Sequence, residues 1–281
     1  MKFGINTFLF TSPFTNESIY LFPLFKEWGF DSVEIALEDV SHIDSQLVKN
    51  ALDKNGLTCG SICAAMGPGR DLRGTIEEQA ASLRYLKEVI DVMPVLGCPT
   101  LAGPLYSSVG RAEPVSQGEY QIQWDTVKGH LKDLADYATQ KGVKLAIEPL
   151  NRYETDFINT AEQGLRMITE VNNAALLLHL DTFHMNIEEK DLAKAILSAG
   201  NKLGHFHACG SDRGTPGNDH TNWDQISEAL QRIGYDKQVV IESFTTDVKI
   251  IAKAASIWRK LEPSQQDIAI KGLAFLKSKL L

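Results

Sequence analysis

The stretch LLLHLDTFHMNIEE, residues 176–189, begins as an apolar run and ends as a polar, helix-like segment. Its leucine-rich first half is typical of a strand that is buried on both faces of a parallel sheet. Asp181 lies where this run ends, and His184 follows three residues later. An acid and an imidazole at the end of a buried strand predict a polar site beside a strand-to-helix connection.

The same alternation of apolar run and amphipathic segment recurs along the whole chain. Eight short runs are candidates for strands, and segments with helical periodicity separate them. The runs are FGINTF, SVEIAL, TCGSICAAM, TLAGPLY, KLAIEPL, LLLHLDT, LGHFHA and VVIESF. Eight βα units in roughly 250 residues predict an α/β fold, a single closed (β/α)8 TIM barrel.

Glycines and the chain end add detail to this prediction. Helices are expected to end in left-handed glycines shortly before strands, at Gly29, Gly56, Gly97, Gly142 and Gly234. The last stretch, PSQQDIAIKGLAFLKSKLL, predicts an additional C-terminal helix that closes the outer ring or supports a dimer contact. An open doubly wound sheet is the alternative fold, but no GxGxxG sequence follows the first strand. No linker divides the chain, so residues 1–281 are expected to form one catalytic domain.

Composition restricts the partners of the protein. A formal charge of −8 argues against a surface for nucleic acid or for anionic membranes, since both are polyanions. No apolar run is long enough to span a membrane, and the N-terminal segment lacks the order of a signal peptide, so a cytoplasmic protein is expected. The four cysteines form no CxxC pair and are expected to be reduced core thiols, with Cys209 near the site described next.

Four consecutive strands carry metal-ligand residue types at or near their carboxyl ends, which is the functional face of such a barrel. They are Glu148, Asp181, His207 and Glu242. Each has a structural alternative: an ion pair with Arg152, a helix cap, a core histidine and a solvent-exposed strand end, respectively. Together they favour a bound cation, because crowded carboxylates repel one another unless a cation or protons compensate them.

The types of ligand suggest which cation. Three carboxylates and one imidazole form an oxygen-rich set that suits Mn²⁺, with Mg²⁺ or Co²⁺ as alternatives. Catalytic zinc is less favoured by a set with one histidine. Three nearby residues extend this group, namely Glu154, His184 and Arg213. Their structural alternatives are a helix-start acid, a loop histidine and a surface arginine.

Four motifs carry a resemblance to a known family. They are NRYE at 151–154, LDTFHMNIEE at 180–189, GHFH at 204–207 with Arg213 downstream, and ESF at 242–244. On these motifs the chain resembles the ketose 3-epimerases of the D-tagatose/D-allulose (psicose) 3-epimerase family, within the xylose-isomerase-like barrels. The resemblance spans nearly the whole chain.

The resemblance implies an activity and a set of roles. It implies that Glu148, Asp181, His207 and Glu242 bind one divalent metal ion, with Glu148 and Glu242 also acting as acid and base. It implies that Glu154, His184 and Arg213 hold the sugar substrate. The expected reaction is epimerisation of a free ketose at C3, of the D-tagatose, D-allulose/D-fructose or L-ribulose type, through a metal-stabilised enediolate. A homodimer or homotetramer is expected.

The chain departs from the family pattern at three places, and these leave the preferred sugar open. Asn6 stands where an aromatic residue is common, Gly210 stands where a glutamate is common, and the loop GSDRGTPGNDHTNW is unusual. Phe8, Tyr106 and Phe244 are expected to shield the intermediate from water or to serve as ordinary packing.

Three other functions are also compatible with the sequence. An aldose–ketose, inosose or hydroxypyruvate isomerase would use the same scaffold and metal. A multi-metal phosphodiesterase acting on abasic DNA would need more histidines and a basic face. A non-catalytic sugar-binding protein would keep the pocket without two carboxylates on opposite sides of the ligand.

Overall fold

Eight parallel strands close into a barrel in chain order in the computed structural model, which describes residues 1–281. The strands are β1 (Lys2–Asn6), β2 (Ser32–Leu37), β3 (Thr58–Ala64), β4 (Thr100–Gly103), β5 (Lys144–Ile147), β6 (Leu176–Asp181), β7 (Leu203–Ala208) and β8 (Gln238–Ile241). β1 pairs in parallel with both β2 and β8, so the sheet has no free edge. The predicted (β/α)8 barrel is confirmed.

Helices between the strands form the outer ring. They are α1 (Leu21–Glu27), α2 (Ser45–Lys54), α3 (Ile76–Leu96), α4 (Gln117–Lys141), α5 (Ala161–Val171), α6 (Thr182–Glu188), α7 (Leu192–Ala199), α8 (Trp223–Arg232), α9 (Lys249–Ala254) and α10 (Gln265–Leu280). The predicted C-terminal helix is α10, and it closes the ring. Its buried side chains include Ile268 and Leu276, and Lys277 donates from Nζ to the carbonyl of Gly29 near the end of α1 (2.8 Å).

Residues at the helix ends explain where the helices start and stop. The long helices α3 and α4 begin at Thr75 and Ser116, whose hydroxyls accept hydrogen bonds from backbone N–H groups in capping boxes. Both helices end in glycines with φ near 70°, a conformation that costs glycine little. The other three glycines predicted to end helices also have positive φ.

The register of β6 and β7 turns alternate side chains into the barrel. Asp181 lies opposite His207, and His179 lies opposite His205. Side chains two residues apart on a strand point the same way, so these four share the barrel interior. Outside the barrel, apolar residues such as Trp124 and Phe157 pack between the strands and the helices.

Two further predictions concern the whole chain. All four cysteines are free and buried, as expected for core thiols. None of the helices combines the length and the apolar character that crossing a membrane requires.

Candidate metal centre

The barrel brings the four predicted ligands together at the carboxyl ends of β5 to β8. One donor atom from each of Glu148, Asp181, His207 and Glu242 lies within 4.8 Å of the donor atoms of the other three. Glu148 and Glu242 each follow the last residue of a strand, Asp181 ends β6, and His207 lies one residue before the end of β7. All four are at least 95 % buried. The strand ends therefore place three carboxylates and one imidazole around one point.

Asp181 uses its two oxygens for different purposes. Oδ1 accepts a hydrogen bond from the backbone N–H of Phe183 (2.6 Å), which caps α6. Oδ2 faces the cluster and accepts from Nη1 of Arg213 (2.5 Å). The helix-cap alternative is therefore correct for one oxygen, and it leaves the other oxygen for the cluster. The predicted neighbour Cys209 donates its thiol hydrogen to Oδ1 (3.4 Å).

His207 presents one nitrogen to the cluster and the other to the barrel interior. Nδ1 lies 3.1 Å from Oε2 of Glu242 and 3.7 Å from Oδ2 of Asp181. Nε2 lies 2.7 Å from Oε1 of Glu34, a carboxylate on β2. Nδ1 is buried without a hydrogen-bond partner. The imidazole is thus held from behind, while its front nitrogen is open to a ligand.

Glu148 also carries a buried oxygen without a hydrogen-bond partner, Oε1. Nε2 of His184 lies 3.8 Å from this oxygen. The alternative pairing with Arg152 does not occur, because the guanidinium of Arg152 binds Glu188 instead (2.9 and 3.0 Å).

Glu242 is buried rather than solvent-exposed, so that alternative is also wrong. Its Oε1 accepts from Nδ2 of Asn6 (3.0 Å) and from the thiol of Cys63 (3.8 Å), and its Oε2 accepts from Nη2 of Arg213 (2.5 Å).

Burial and neighbouring charges raise the pKa values of Glu148 and His207 and lower that of Asp181. Burial, and next the negative charge of Glu242, raise the pKa of Glu148 well above its ordinary value. Burial also acts to raise the pKa of Asp181, but Arg213 and His207 outweigh it and hold that pKa well below its ordinary value. The pKa of His207 is raised well above its ordinary value despite burial, because Glu34 and Glu242 stabilise the imidazolium.

The three predicted substrate-binding residues line a cleft above the cluster. His184 is fixed by Asn151, whose backbone N–H donates to Nδ1 (3.1 Å), so Nε2 points towards Glu148. Oε1 of Glu154 accepts from the side chain of the same asparagine (2.8 Å). Asn151 is the first residue of the NRYE motif, and it organises both side chains.

Arg213 lies between two aromatic rings and two carboxylates. Its guanidinium carbon is 4.8 Å from the ring centres of both Phe183 and Phe244, in cation–π contact, while its nitrogens bind Asp181 and Glu242. The backbone of Arg213 has φ +70°, within a tight turn that begins at Gly210. A Cβ at Gly210 would lie 3.0 Å from the carbonyl oxygen of Thr215, which explains the glycine there.

The aromatic residues expected at the mouth divide into two groups. Phe8 and Phe244 line the cleft, in agreement with the prediction. Tyr106 does not line the cleft, and the alternative of ordinary packing holds for it. It is fully buried, and its hydroxyl donates to the backbone carbonyl of Glu148 (2.7 Å), while the carbonyl oxygen of Ile158 lies 3.0 Å from the same hydroxyl oxygen. Tyr106 therefore supports the chain just after β5 from below.

Several residues around the cluster were missed in the sequence. Glu34, His179 and His205 lie inside the barrel and are fully buried, and Cys63 lines the cleft. The available signal was alternation: His179 and His205 each precede a predicted ligand by two residues, so they point the same way. A glutamate in the middle of the apolar run SVEIAL was a second signal.

The donor set fits a divalent cation. A hard, oxygen-rich set with one nitrogen suits Mn²⁺, Mg²⁺ or Co²⁺, and the partner-free Nδ1 of His207 and Oε1 of Glu148 both belong to it. Arg213 offsets only part of the negative charge of three carboxylates. The cluster can therefore hold a dication at the bottom of a cleft whose lining combines apolar side chains with Glu154, His184 and Arg213.

A barrel of this topology with a buried acidic cluster at its mouth belongs to a known class. The xylose isomerase-like TIM barrel family matches residues 22–279. The chain is 37 % identical to a probable ketose 3-epimerase of Synechocystis sp. over 280 residues, which cover 99 % of this chain and 96 % of the relative. It is 34 % identical to a ketose 3-epimerase of Arthrobacter globiformis over 287 residues, covering 100 % and 97 %.

A solved structure agrees with these relatives. The D-allulose 3-epimerase from Methylomonas sp., in complex with D-allulose, superposes with a TM-score of 0.92 at 31 % identity, covering 99 % of this chain and 97 % of the other. Within the xylose isomerase-like barrels, the chain belongs to the ketose 3-epimerase family.

Proposed function

We propose that the protein is a metal-dependent ketose 3-epimerase that inverts C3 of a free ketose. The observation that carries the proposal is the placement of Glu148 and Glu242. They come from the first and last of four consecutive strands, and Asp181 and His207 lie on the two strands between them. Two carboxylates on opposite sides of one small cluster are what inversion through a planar intermediate requires.

Glu148, Asp181, His207 and Glu242 would hold one divalent ion, for which Mn²⁺ is proposed before Mg²⁺ and Co²⁺. Such an ion would polarise the C2 carbonyl and offset the negative charge of the enediolate. Their near-complete burial keeps bulk water from competing for the cluster.

Glu148 and Glu242 would carry out the proton transfers. One carboxylate removes the C3 proton from one face of the sugar, and the other, protonated, returns a proton to the opposite face. The roles exchange in the reverse reaction.

His184, Glu154 and Arg213 would hold the oxygens of the first carbons of the sugar. Their support is geometric: all three line the cleft next to the cluster, and Asn151 fixes two of them. Phe8 and Phe244 would cover the reacting carbon and exclude water.

The charge of the cleft supports a free sugar rather than a sugar phosphate. Its lining contains four carboxylates, those of Glu38, Glu148, Glu154 and Glu242, against the single guanidinium of Arg213 and no lysine. A phosphate dianion would be repelled by this field. The relatives suggest ketoses of the D-tagatose, D-allulose/D-fructose or L-ribulose type.

The proposal extends to the whole chain. Residues 1–281 would form one catalytic domain that assembles as a homodimer or homotetramer, which light scattering on a size-exclusion column measures. A cytoplasmic location is proposed because four buried, unpaired thiols suit a reducing compartment.

Hydrogen exchange with solvent tests the reaction. The chelated protein is loaded with Mn²⁺ and incubated in D₂O with a panel of free ketoses. We expect inversion at C3 with deuterium incorporated there, and loss of activity after chelation. Deuterium at C1 would instead indicate an aldose–ketose isomerase. A ketose that binds without any exchange would indicate a sugar-binding protein.

Two variants link the reaction to the two carboxylates. Glu148→Gln and Glu242→Gln each remove one proton carrier at nearly constant volume, and each should lower the epimerisation rate by about 10²-fold or more. Glu170→Gln serves as the control, because Glu170 lies on α5 and binds Trp124 and Arg166 outside the barrel. Full activity in Glu148→Gln would remove that residue from the chemistry.

A further inference from the structure

A fourth carboxylate lies inside the barrel, directly behind the candidate metal centre. Glu34 is on β2, is fully buried and does not reach the cleft. It contacts His207 on the side away from the cluster. An isolated carboxylate at such a position would be very costly, so its contacts must compensate it.

Glu34 has four partners from three other strands. Oε1 lies 2.7 Å from Nε2 of His207 and accepts from Nδ2 of Asn6 (2.7 Å). Oε2 lies 2.7 Å from Nε2 of His205 and accepts from the hydroxyl of Ser61 (2.5 Å). Oε1 thus has two hydrogen-bond partners, whereas Oε2 has one, Ser61, and a close contact with His205 that lacks hydrogen-bond geometry. This bonding fixes the position of the carboxylate between β1, β3 and β7.

Asn6 connects the same network to Glu242. Its Oδ1 accepts from the backbone N–H of Phe8 (2.8 Å), which fixes the orientation of the amide. The amide nitrogen therefore faces inward, and it donates to Oε1 of Glu34 (2.7 Å) and to Oε1 of Glu242 (3.0 Å). Two of the four proposed ligands, His207 and Glu242, are consequently held by one set of hydrogen bonds.

Each of the other groupings of ligand-type residues in the barrel shares a member with the candidate metal centre. Glu34, Cys63 and Glu242 lie close together, but both oxygens of Glu34 are occupied. His179, His205 and His207 also lie close together, but His207 has one nitrogen on Glu34 and the other in the cluster. Of these interior residues, Glu34 contacts the centre directly, through His207.

We propose that Glu34 is a positioning residue that keeps the proton of His207 on Nε2 and so directs Nδ1 to the metal. A carboxylate can only accept, so His207 must donate from Nε2, and the lone pair is left on Nδ1. Partners of this kind orient ligating histidines and raise their basicity. The inference rests on the proposed metal centre and adds a residue outside the ligand set.

Metal affinity tests the role of Glu34. Glu34→Gln keeps the volume but places an amide N–H group against one of its histidine partners. The chelated protein is titrated with Mn²⁺, and the free ion is measured by electron paramagnetic resonance. We expect Glu34→Gln to bind Mn²⁺ about 10- to 100-fold more weakly than the wild type. Glu170→Gln, the same substitution at an exposed carboxylate of the outer ring, should bind with wild-type affinity.

A second measurement needs no variant and covers the case in which Glu34→Gln does not fold. In wild-type protein with ¹⁵N-labelled histidine, loaded with diamagnetic Zn²⁺, the ¹⁵N shifts of His207 report which nitrogen carries the proton. We expect a proton on Nε2 and coordination through Nδ1. Coordination through Nε2, or wild-type Mn²⁺ affinity in a folded Glu34→Gln variant, would overturn the inference.

The outcomes separate this inference from the proposed function. Failure of the wild type to bind Mn²⁺ or to exchange hydrogen at C3 refutes the proposed function. Wild-type affinity in Glu34→Gln, with an active wild-type enzyme, refutes only the role of Glu34.

Discussion

Removal of the Arg213 guanidinium is the most informative perturbation of the charge balance in the cluster. Arg213 is 5 % exposed and makes two contacts of 2.5 Å, to Asp181 and to Glu242. In Arg213→Gln, both buried carboxylates lose their guanidinium partner. Breaking a buried ion pair by removal of one partner costs about 3–5 kcal/mol. At about 2 °C per kcal/mol for a chain of this size, the Tm of the chelated protein should fall by about 6–10 °C.

A dication should reverse much of this loss. It would bind the same carboxylates that Arg213 compensates, so the variant gains more from the ion than the wild type does. A ligand at about 1,000 times its Kd contributes about 4 kcal/mol to stability. We therefore expect saturating Mn²⁺ to raise the Tm of Arg213→Gln more than that of the wild type, and to bring the two values close together.

The matched control is Arg152→Gln. Arg152 also binds a carboxylate, that of Glu188, but its side chain is 61 % exposed. Because the guanidinium is largely solvated and Glu188 keeps the backbone N–H of residue 152 as a partner, this variant should lose little stability with or without metal. The assay is differential scanning calorimetry on chelated and Mn²⁺-loaded protein. Equal losses in the two variants, or a loss in Arg213→Gln that Mn²⁺ leaves unchanged, would refute the reasoning.

Three further predictions concern the metal and the core. His207→Ala should weaken Mn²⁺ binding chiefly, by removing the only nitrogen ligand; an unchanged Kd in the titration would exclude His207 from the centre. Because the raised pKa values of Glu148 and His207 keep protons on these groups to higher pH, metal binding should release protons and grow tighter as the pH rises. Calorimetry in buffers of different ionisation enthalpy measures this release, and identical heats in all buffers would contradict it. Trp124→Ala should cost about 3–5 kcal/mol in denaturant unfolding while the folded variant keeps its Mn²⁺ affinity, because Trp124 is buried in the outer layer; a loss below about 1 kcal/mol would contradict its core role.

The sequence predicts the barrel well because the relevant signals are local. Each strand is a short apolar run, and glycines such as Gly97 and Gly142 mark helix ends by a conformation that other residues avoid. Eight consecutive βα units are compatible with few sheet topologies, and the closed barrel is one of them. The placement of Asp181 and Glu242 at one mouth then follows from parallel pairing, since all strands end on the same face.

The residues that hold the candidate ligands from behind were harder to predict, because their contacts depend on the register between strands. The contact between Glu34 and His207 joins β2 to β7 across the barrel interior, and no local pattern shows which side chains meet there. Parallel strands are apolar on both faces, so the alternation that marks His205 as inward-pointing is weak. The two alternatives for Tyr106 could not be separated for a related reason. An aromatic residue after a strand is equally compatible with the cleft and with the layer beneath it.

One wall of the cleft is built on a different part of the core from the candidate metal centre. The centre sits on strands of the main core, whereas Phe244, Ala252 and Ile257 form a small apolar cluster of their own beneath α9. Ile250 and Ile251 of that helix line the cleft, and Ile250 is 64 % exposed. Substitutions on α9 can therefore reshape this side of the cleft without disturbing the strands. In this architecture, substrate range and reactivity can diversify independently.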